Sequence, residues 1–171
     1  MSSPAEDGPV VGELLGQGGN KEVFAYGPDH AIGFLKPGKD ASILAEELAL
    51  LNRLKELGLP VVGAKRVVVE GRPALVFERF AQGSKDVVRL SRGKVRTVGS
   101  SNLLNARSIS DLNAIRRTMV NKGISIDDLQ FLIAKDGRVV IADPLRVAMA
   151  KPSKSNLRTI DFLIKAARSN K

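Results

Sequence analysis

The sequence predicts an α+β fold: a small antiparallel sheet of five strands carrying one helix, followed by a second half of helices and one β-hairpin. Three observations predict it. Five short apolar runs lie within the first 80 residues, separated by glycine- and proline-bearing turns and interrupted once by a helical stretch. That stretch, Asp40 to Leu57, repeats apolar residues at spacings of three and four. Further on, two runs rich in β-branched residues flank Asp136-Gly137, a strong two-residue hairpin signal.

Taken in order, Met1 to Pro9 is small and polar and reads as disordered. Val11 to Leu15 reads as a strand, Gly16-Gln17-Gly18-Gly19-Asn20 as a tight turn and Glu22 to Tyr26 as the returning strand. Glycines spaced G-x-G-G let backbone N–H groups approach phosphates with no Cβ in the way, although a plain hairpin turn has the same look. After Gly27-Pro28-Asp29, His30 sits as a turn or strand-end residue before a third strand, Ala31 to Lys36, closed by Pro37-Gly38. The helix then places Ile43, Glu47, Leu50, Leu51, Leu54 and Leu57 on one face, with Asp40 as N-cap, Gly58 just past its end and Pro60 enforcing the stop. Glu47 lies within that apolar face. A carboxylate there costs desolvation unless a cation meets it, and Lys36 is the obvious candidate; Glu46 sits nearer solvent.

Lys65 to Glu70 and Ala74 to Phe80 complete the five strands around a turn at Gly71-Arg72-Pro73. Ala81 to Ser84 reads as a linker, and Lys85 to Arg96 is basic with no decisive periodicity. A short helix over Ser101–Arg107 precedes a better one over Ser110–Asn121, with Ser110 as N-cap, Leu112, Ile115 and Met119 on its face and Gly123 at its end. The hairpin strands are Phe131–Ala134 and Arg138–Ala142. A last amphipathic helix, Asn156–Ala167, buries Leu157, Ile160, Leu163, Ile164 and Ala167.

A chain of 171 residues with 43% hydrophobic content makes one compact domain, or two small lobes sharing a cleft. Several activities are disfavoured by composition. With no Cys there is no disulfide framework, thiolate nucleophile or sulfur-bound zinc, and a single His argues against serine-hydrolase chemistry and multi-His metal sites. No apolar run is long enough to span a bilayer, and MSSPAEDGPV lacks a basic-then-apolar signal pattern. The net charge of +9 asks for an acidic partner such as a nucleotide, nucleic acid, anionic membrane or acidic protein surface. Basic residues cluster at Lys85, Arg89, Arg92, Lys94 and Arg96, and again at Lys151, Lys154, Arg158, Lys165, Arg168 and Lys171. Aromatic content of 4% without Trp is poor for stacking on single-stranded nucleic acid.

The chemistry concentrates in GISIDDLQFLIAKDGRVVIADP, Gly123 to Pro144. Its hairpin brings Asp127, Asp128 and Gln130 at one end near Asp143 at the other. Carboxylates and an amide together suit a metal ion and a proton acceptor, while Asp residues beside strands also serve simply as turn punctuation.

The order of these features resembles the protein-kinase-like fold, a bilobal arrangement with an N-lobe sheet plus one helix and here a strongly reduced C-lobe. The resemblance runs from Val11 to Val147. Gly16, Gly18 and Gly19 match the phosphate-covering loop, with Val23 where the family's following Val stands. AIGFLK is similar to the V-A-I-K strand, which implies the phosphate-binding role for Lys36 and its partnership with Glu47. Phe77-Glu78-Arg79-Phe80 would be the hinge whose backbone meets adenine, Glu78 and Phe80 included, before the 81–84 linker. The lobes implied are about 10–80 and 85–171. The family's His-Arg-Asp is missing, and so is the Asn five residues past the Asp, where Ile133 stands when counted from Asp128. Counted back from Asp143, Gln130 falls where the metal-binding Asn belongs. The resemblance therefore implies Asp128 as catalytic base with Asp127 its rival, and Asp143 and Gln130 as Mg²⁺ contacts. Asp143-Pro144-Leu145 replaces D-F-G, and the 28 residues after Asp143 are too few for an activation segment and the large helical lobe.

That brevity is similar to the minimal kinases of bacterial polymorphic toxins and injected type III effectors. It implies ATP and Mg²⁺ as cofactors, a protein Ser/Thr substrate, no nucleic-acid partner, a monomer, and delivery into the host cytoplasm, with the bacterial cytoplasm as the alternative. The best-studied relatives of this type phosphorylate the eukaryotic Hsp-ninety chaperone, so a host chaperone is implied loosely as substrate. Rival readings are a pseudokinase that binds without chemistry, a small-molecule kinase and a basic nucleic-acid binder.

Overall fold

The structure is a computed structural model and describes residues 10–170; the expected disordered segment Met1–Pro9, and Lys171 of the second basic cluster, lie outside the described residues. The chain divides into two units, one formed by the residues up to Ala49 with Gly63–Arg79, the other by Leu50–Val62 with the residues from Phe80 onward. The division falls inside the first helix, so its C-terminal half is grouped with the second unit and not with the sheet.

In the first unit, β1 (Val11–Gln17), β2 (Lys21–Tyr26), β3 (His30–Leu35), β4 (Ala64–Val69) and β5 (Arg72–Glu78) form a five-stranded sheet in the order β1-β2-β3-β5-β4. All its pairings are antiparallel. Alternation sorts the side chains. Phe24, Tyr26, Ile32, Phe34, Val67, Val69, Ala74 and Val76 pack together on one face. Lys21, Val23 and Ala25, opposite Leu35, Gly33 and Ala31, belong to the other. The β4–β5 turn is two residues, Glu70 (φ 52°) and Gly71 (φ 77°), the left-handed pair of a type I′ hairpin; Arg72 and Pro73, expected in the turn, already belong to β5.

Helix α1 (Ser42–Glu56) begins where Asp40 accepts the Ser42 N–H at 2.9 Å. That bond holds the Asp40 carboxyl below the ordinary carboxylate range. A depressed pKa stabilises the fold above the ordinary value and loses that contribution as pH falls through the depressed one, so this cap weakens in acid. At the other end Gly58 (φ 92°) donates to the Lys55 carbonyl and Leu59 donates to that of Leu54, closing a Schellman motif.

The second unit holds short strands and two helices. Here β6 (Gln82–Gly83) is followed by a 3₁₀ turn at Ser84–Asp86, β7 (Val88–Ser91), β8 (Lys94–Thr97), α2 (Ala106–Lys122), β9 (Ser125–Asp127), β10 (Gln130–Ile133), β11 (Val139–Ala142), β12 (Arg146–Ala148) and α3 (Lys154–Arg168). Strands order as β11-β10-β6, with separate pairs β12-β9 and β7-β8. On the free side of β11, Ile141 donates to the Pro60 carbonyl and Val62 donates back to Ile141, both at 3.0 Å. All four β11 residues are consequently buried. The core joins Leu54 and Leu59 to Leu112, Ile115, Met119, Phe131, Ile141, Ile160 and Leu163.

Four expectations for this half are corrected, and the basic stretch that showed no decisive periodicity is settled. The 81–84 linker is structured: Gln82 and Gly83 pair with Ile133 and Leu132, and buried Ser84 accepts the Phe131 N–H at 2.9 Å. The basic stretch is the β7–β8 hairpin, turned by Arg92 (φ 52°) and Gly93 (φ 76°). No separate helix forms over Ser101–Arg107, and Ser110 is not an N-cap, because Asn105 starts α2 at Ala106 through a capping box with Ser108. Its Oδ1 accepts the Arg107 and Ser108 N–H groups at 3.0 and 3.2 Å. Finally, the β10–β11 loop has three residues: Ala134 donates to Arg138 and Gly137 donates to Ala134. Gly137 (φ 92°) takes the left-handed position, where a Cβ would lie 2.1 Å from Asn105 Oδ1. Asp136 accepts the Arg138 N–H and faces the Arg107 guanidinium at 2.9 Å, an exposed arrangement that holds its carboxyl low.

Candidate functional site

In the first unit the glycine turn leads directly into a buried ion pair. Gly18 donates to the Lys21 carbonyl at 2.9 Å, which closes the turn between β1 and β2. Neither Gly16, Gly18 nor Gly19 has a positive φ or an atom within 4 Å of where a Cβ would stand. Packing within the fold therefore does not require glycine there, whereas close approach of a ligand to the backbone would. Val23 follows on the same strand face as Lys21.

Glu47 lies on the buried side of α1 as expected, but the structure gives it a different partner. Lys21 Nζ donates to Glu47 Oε1 at 2.6 Å, with the two side chains only 12% and 11% exposed. Lys36 does not take this place, and the cause is the period-two geometry of a strand. Leu35, opposite Lys21, ends β3, so alternation assigns the next residue to the face of Ile32 and Phe34. The Lys36 N–H is used by the Asn20 carbonyl at 2.8 Å. Glu46 is exposed, as expected. Of the residues expected at a hinge, Glu78 ends β5 and gives its N–H to the Gly63 carbonyl at 3.1 Å, so that N–H is not a free donor to a purine. Phe80, in the second unit, lies under the Arg138 guanidinium, 5.0 Å from the ring centroid.

In the second unit the carboxylates gather at the open end of the β10–β11 hairpin. Gln130 pairs with Ala142, so Asp128 and Asp143 flank one end of the ladder. Both are left-handed, with φ of 56° and 47°. Among the described residues the other two non-glycine positions with positive φ, Glu70 and Arg92, each precede a glycine in a type I′ turn. Asp128, in a turn before Leu129, and Asp143, before Pro144, are not followed by glycine, and strained backbone of this kind is kept where a side chain must be aimed. Gln130 Nε2 donates to Asp128 Oδ2 at 2.6 Å. Asp127 is differently occupied: it ends β9 opposite Arg146, whose Nε lies 3.4 Å from its Oδ2 in an exposed pair.

Sequence reasoning passed over Asn156. This buried amide accepts the Ile126 N–H at 2.9 Å and donates to the Ile126 carbonyl at 2.7 Å. It thus completes a two-bond ladder with β9, immediately before Asp127 and Asp128. A polar residue in the first turn of an amphipathic helix was the available signal. Asn156→Leu strands a buried donor and acceptor at about 1–3 kcal/mol each. We expect a fall of several degrees in melting temperature, measured by thermal unfolding; an unchanged value would show that β9 is held by other contacts.

Over residues 2–171 the chain matches the family described as the type III secretion system effector HopBF1 kinase domain. The type III effector protein HopBF1 of Pseudomonas syringae pv. syringae (strain FF5) is 31% identical over 157 residues, covering 86% of this chain and 76% of that protein.

Proposed function

The chain belongs to the type III secretion system effector HopBF1 kinase family, and on that premise we propose that it is an ATP- and Mg²⁺-dependent protein kinase acting on Ser or Thr hydroxyls of a host protein. The observation that carries the reading is the pair of left-handed aspartates at one hairpin end, with Gln130 between them in sequence.

The donor set fits Mg²⁺. Asp143 and Gln130 offer carboxylate and amide oxygens, hard ligands with no His or thiolate among them. No group of three or more His, Asp or Glu side chains gathers into a metal site among the described residues. Mg²⁺ is commonly held by one or two carboxylates together with the phosphates of its substrate. When bound, the cation would neutralise charge on the β- and γ-phosphates. The glycine turn and the Glu47-anchored lysine would hold the phosphates. The Asp128 carboxylate would receive the substrate hydroxyl proton as that oxygen bonds to the γ-phosphorus. The bond from γ-phosphorus to the bridging oxygen breaks, and its electron pair leaves with ADP.

The test is transfer of labelled γ-phosphate from ATP to proteins of a eukaryotic cell extract, with purified Hsp-ninety chaperone as the first single substrate. Wild type is expected to label Ser or Thr in a Mg²⁺-dependent way, and Asp128→Ala and Asp143→Ala are expected not to. Equal labelling by all three would sink the reading. An ATP-dependent thermal shift without any transfer would mark a pseudokinase, and transfer only to metabolites a small-molecule kinase.

The segment after Asp143 supports a second expectation. Only 10 residues separate Asp143 from the start of α3, and three of them form β12 against β9. They leave no long loop to be ordered by phosphorylation. Phosphatase-treated protein should retain full activity; its loss on dephosphorylation would contradict this.

A further inference from the structure

We propose that Lys21, on β2, is the residue that orients the nucleotide phosphates, and that Gly33 on β3 leaves the space in which it does so. The inference deepens the nucleotide-dependent kinase reading and rests on it.

Four observations converge on Lys21. Its ammonium is fixed by Glu47 at 2.6 Å, with both side chains about nine-tenths buried. The pairs Arg107–Asp136, Arg116–Asp161 and Arg146–Asp127, by contrast, each have both partners at least 38% exposed. Burying such a pair is poor value for stability compared with apolar side chains of the same volume, so its retention points to a use. Second, Gly33 has no positive φ that would demand glycine. A Cβ at position 33 would stand 3.2 Å from Phe77 Cε2, 3.3 Å from Lys21 Cδ and 3.8 Å from Val23 Cγ2, so it would press on both the Phe77 ring and the Lys21 stem. The Lys21 stem and a residue-33 side chain compete for one volume, and glycine concedes it. Third, Nζ lies 4.7 Å from the centroid of the Phe77 ring, which limits the swing of a flexible side chain. Fourth, Lys21 is the residue that closes the glycine turn, through its carbonyl and the Gly18 N–H. A point-charge phosphate binder thus stands immediately beside the backbone that would approach the phosphates.

The motif position AIGFLK names Lys36 instead, yet strand alternation assigns Lys36 to the opposite face. A lysine aimed at Glu47 from β3 would have to stand at or near position 33, on the face of Lys21 and Val23. Lys21 supplies that cation from β2 instead.

The experiment measures kcat and KM for ATP, and calorimetric binding of ATP–Mg²⁺ and of adenosine, for Lys21→Met, Lys21→Ala, Lys36→Met and the double variant Lys21→Ala/Gly33→Lys. Expected is a loss of about 10²–10³-fold in kcat/KM for Lys21→Met, with weaker ATP binding and unchanged adenosine binding. Lys36→Met should stay within about threefold of wild type. The double variant should regain at least about tenfold over Lys21→Ala: removing the Lys21 stem clears the 3.3 Å contact, the Phe77 ring at 3.2 Å has only a few tenths of an ångström to give, and an ammonium is restored to the strand face from which Lys21 meets Glu47. If Lys21 merely braces α1, Lys21→Met lowers the melting temperature and leaves kcat/KM of the folded protein within threefold, which overturns the proposal. Recovery of stability without recovery of transfer in the double variant overturns it too. A wild type that transfers phosphate equally well as Lys21→Met defeats this inference alone; a wild type that neither binds ATP nor transfers phosphate takes the kinase reading down with it.

Discussion

Asp143→Asn is expected to lower kcat for phosphoryl transfer about 10³-fold, equivalent to about 4 kcal/mol of transition-state stabilisation. Asn is chosen because, like Asp, it tolerates the left-handed backbone at φ 47°. It preserves size and an acceptor oxygen while removing the negative charge that would hold the cation. Part of the defect should therefore appear as a raised Mg²⁺ requirement, read by titrating activity against the metal at saturating ATP. A variant within tenfold of wild type at low Mg²⁺ would remove Asp143 from the metal site. A defect insensitive to Mg²⁺ at every concentration would reassign it to positioning the backbone.

Much of this site was legible because aspartate, glycine and β-branched residues impose their geometry locally. The run IDDLQFLIAKDGRVVIADP by itself places Gln130 and Asp143 at one end of a hairpin, and the register of Gln130 with Ala142 agrees. Asp40 and Gly58 bounded α1 for the same reason: each satisfies backbone groups within a few residues. The partner of Glu47 was not legible. Choosing Lys21 over Lys36 requires knowing which face each strand position takes, and that is decided by where β3 ends, a boundary that residues 35 and 36 do not announce. Asn105 and Asn156 escaped notice because their bonds join segments about 30 residues apart, Asn105 to Asp136 and Asn156 to Ile126. A short basic stretch with alternating Val and Arg, β7–β8, read as undecided because an exposed hairpin shows weak hydrophobic contrast.

The aspartate pair gives the second large effect, and here activity and stability separate. Asp128→Gly is expected to lower kcat about 10²–10⁴-fold through loss of the proton acceptor, with KM for ATP little changed. Stability should hardly move. At φ 56° glycine is at least as comfortable as aspartate, and the bond lost to Gln130 is exposed. The two small terms of opposite sign, relief of backbone strain and added freedom of the unfolded chain, are each about 1 kcal/mol. Melting temperature within a few degrees of wild type, together with lost transfer, would show that the strained backbone serves chemistry. Asp127→Asn is the comparison. It breaks a surface pair with Arg146 at 3.4 Å, worth about 0–1 kcal/mol, and should leave kcat within a few fold. If Asp127→Asn is the inactive variant and Asp128→Gly the active one, the base is Asp127. The left-handed turn at Asp128 would then serve to present its neighbour, and the Arg146 pair would have to open before the substrate hydroxyl could be reached.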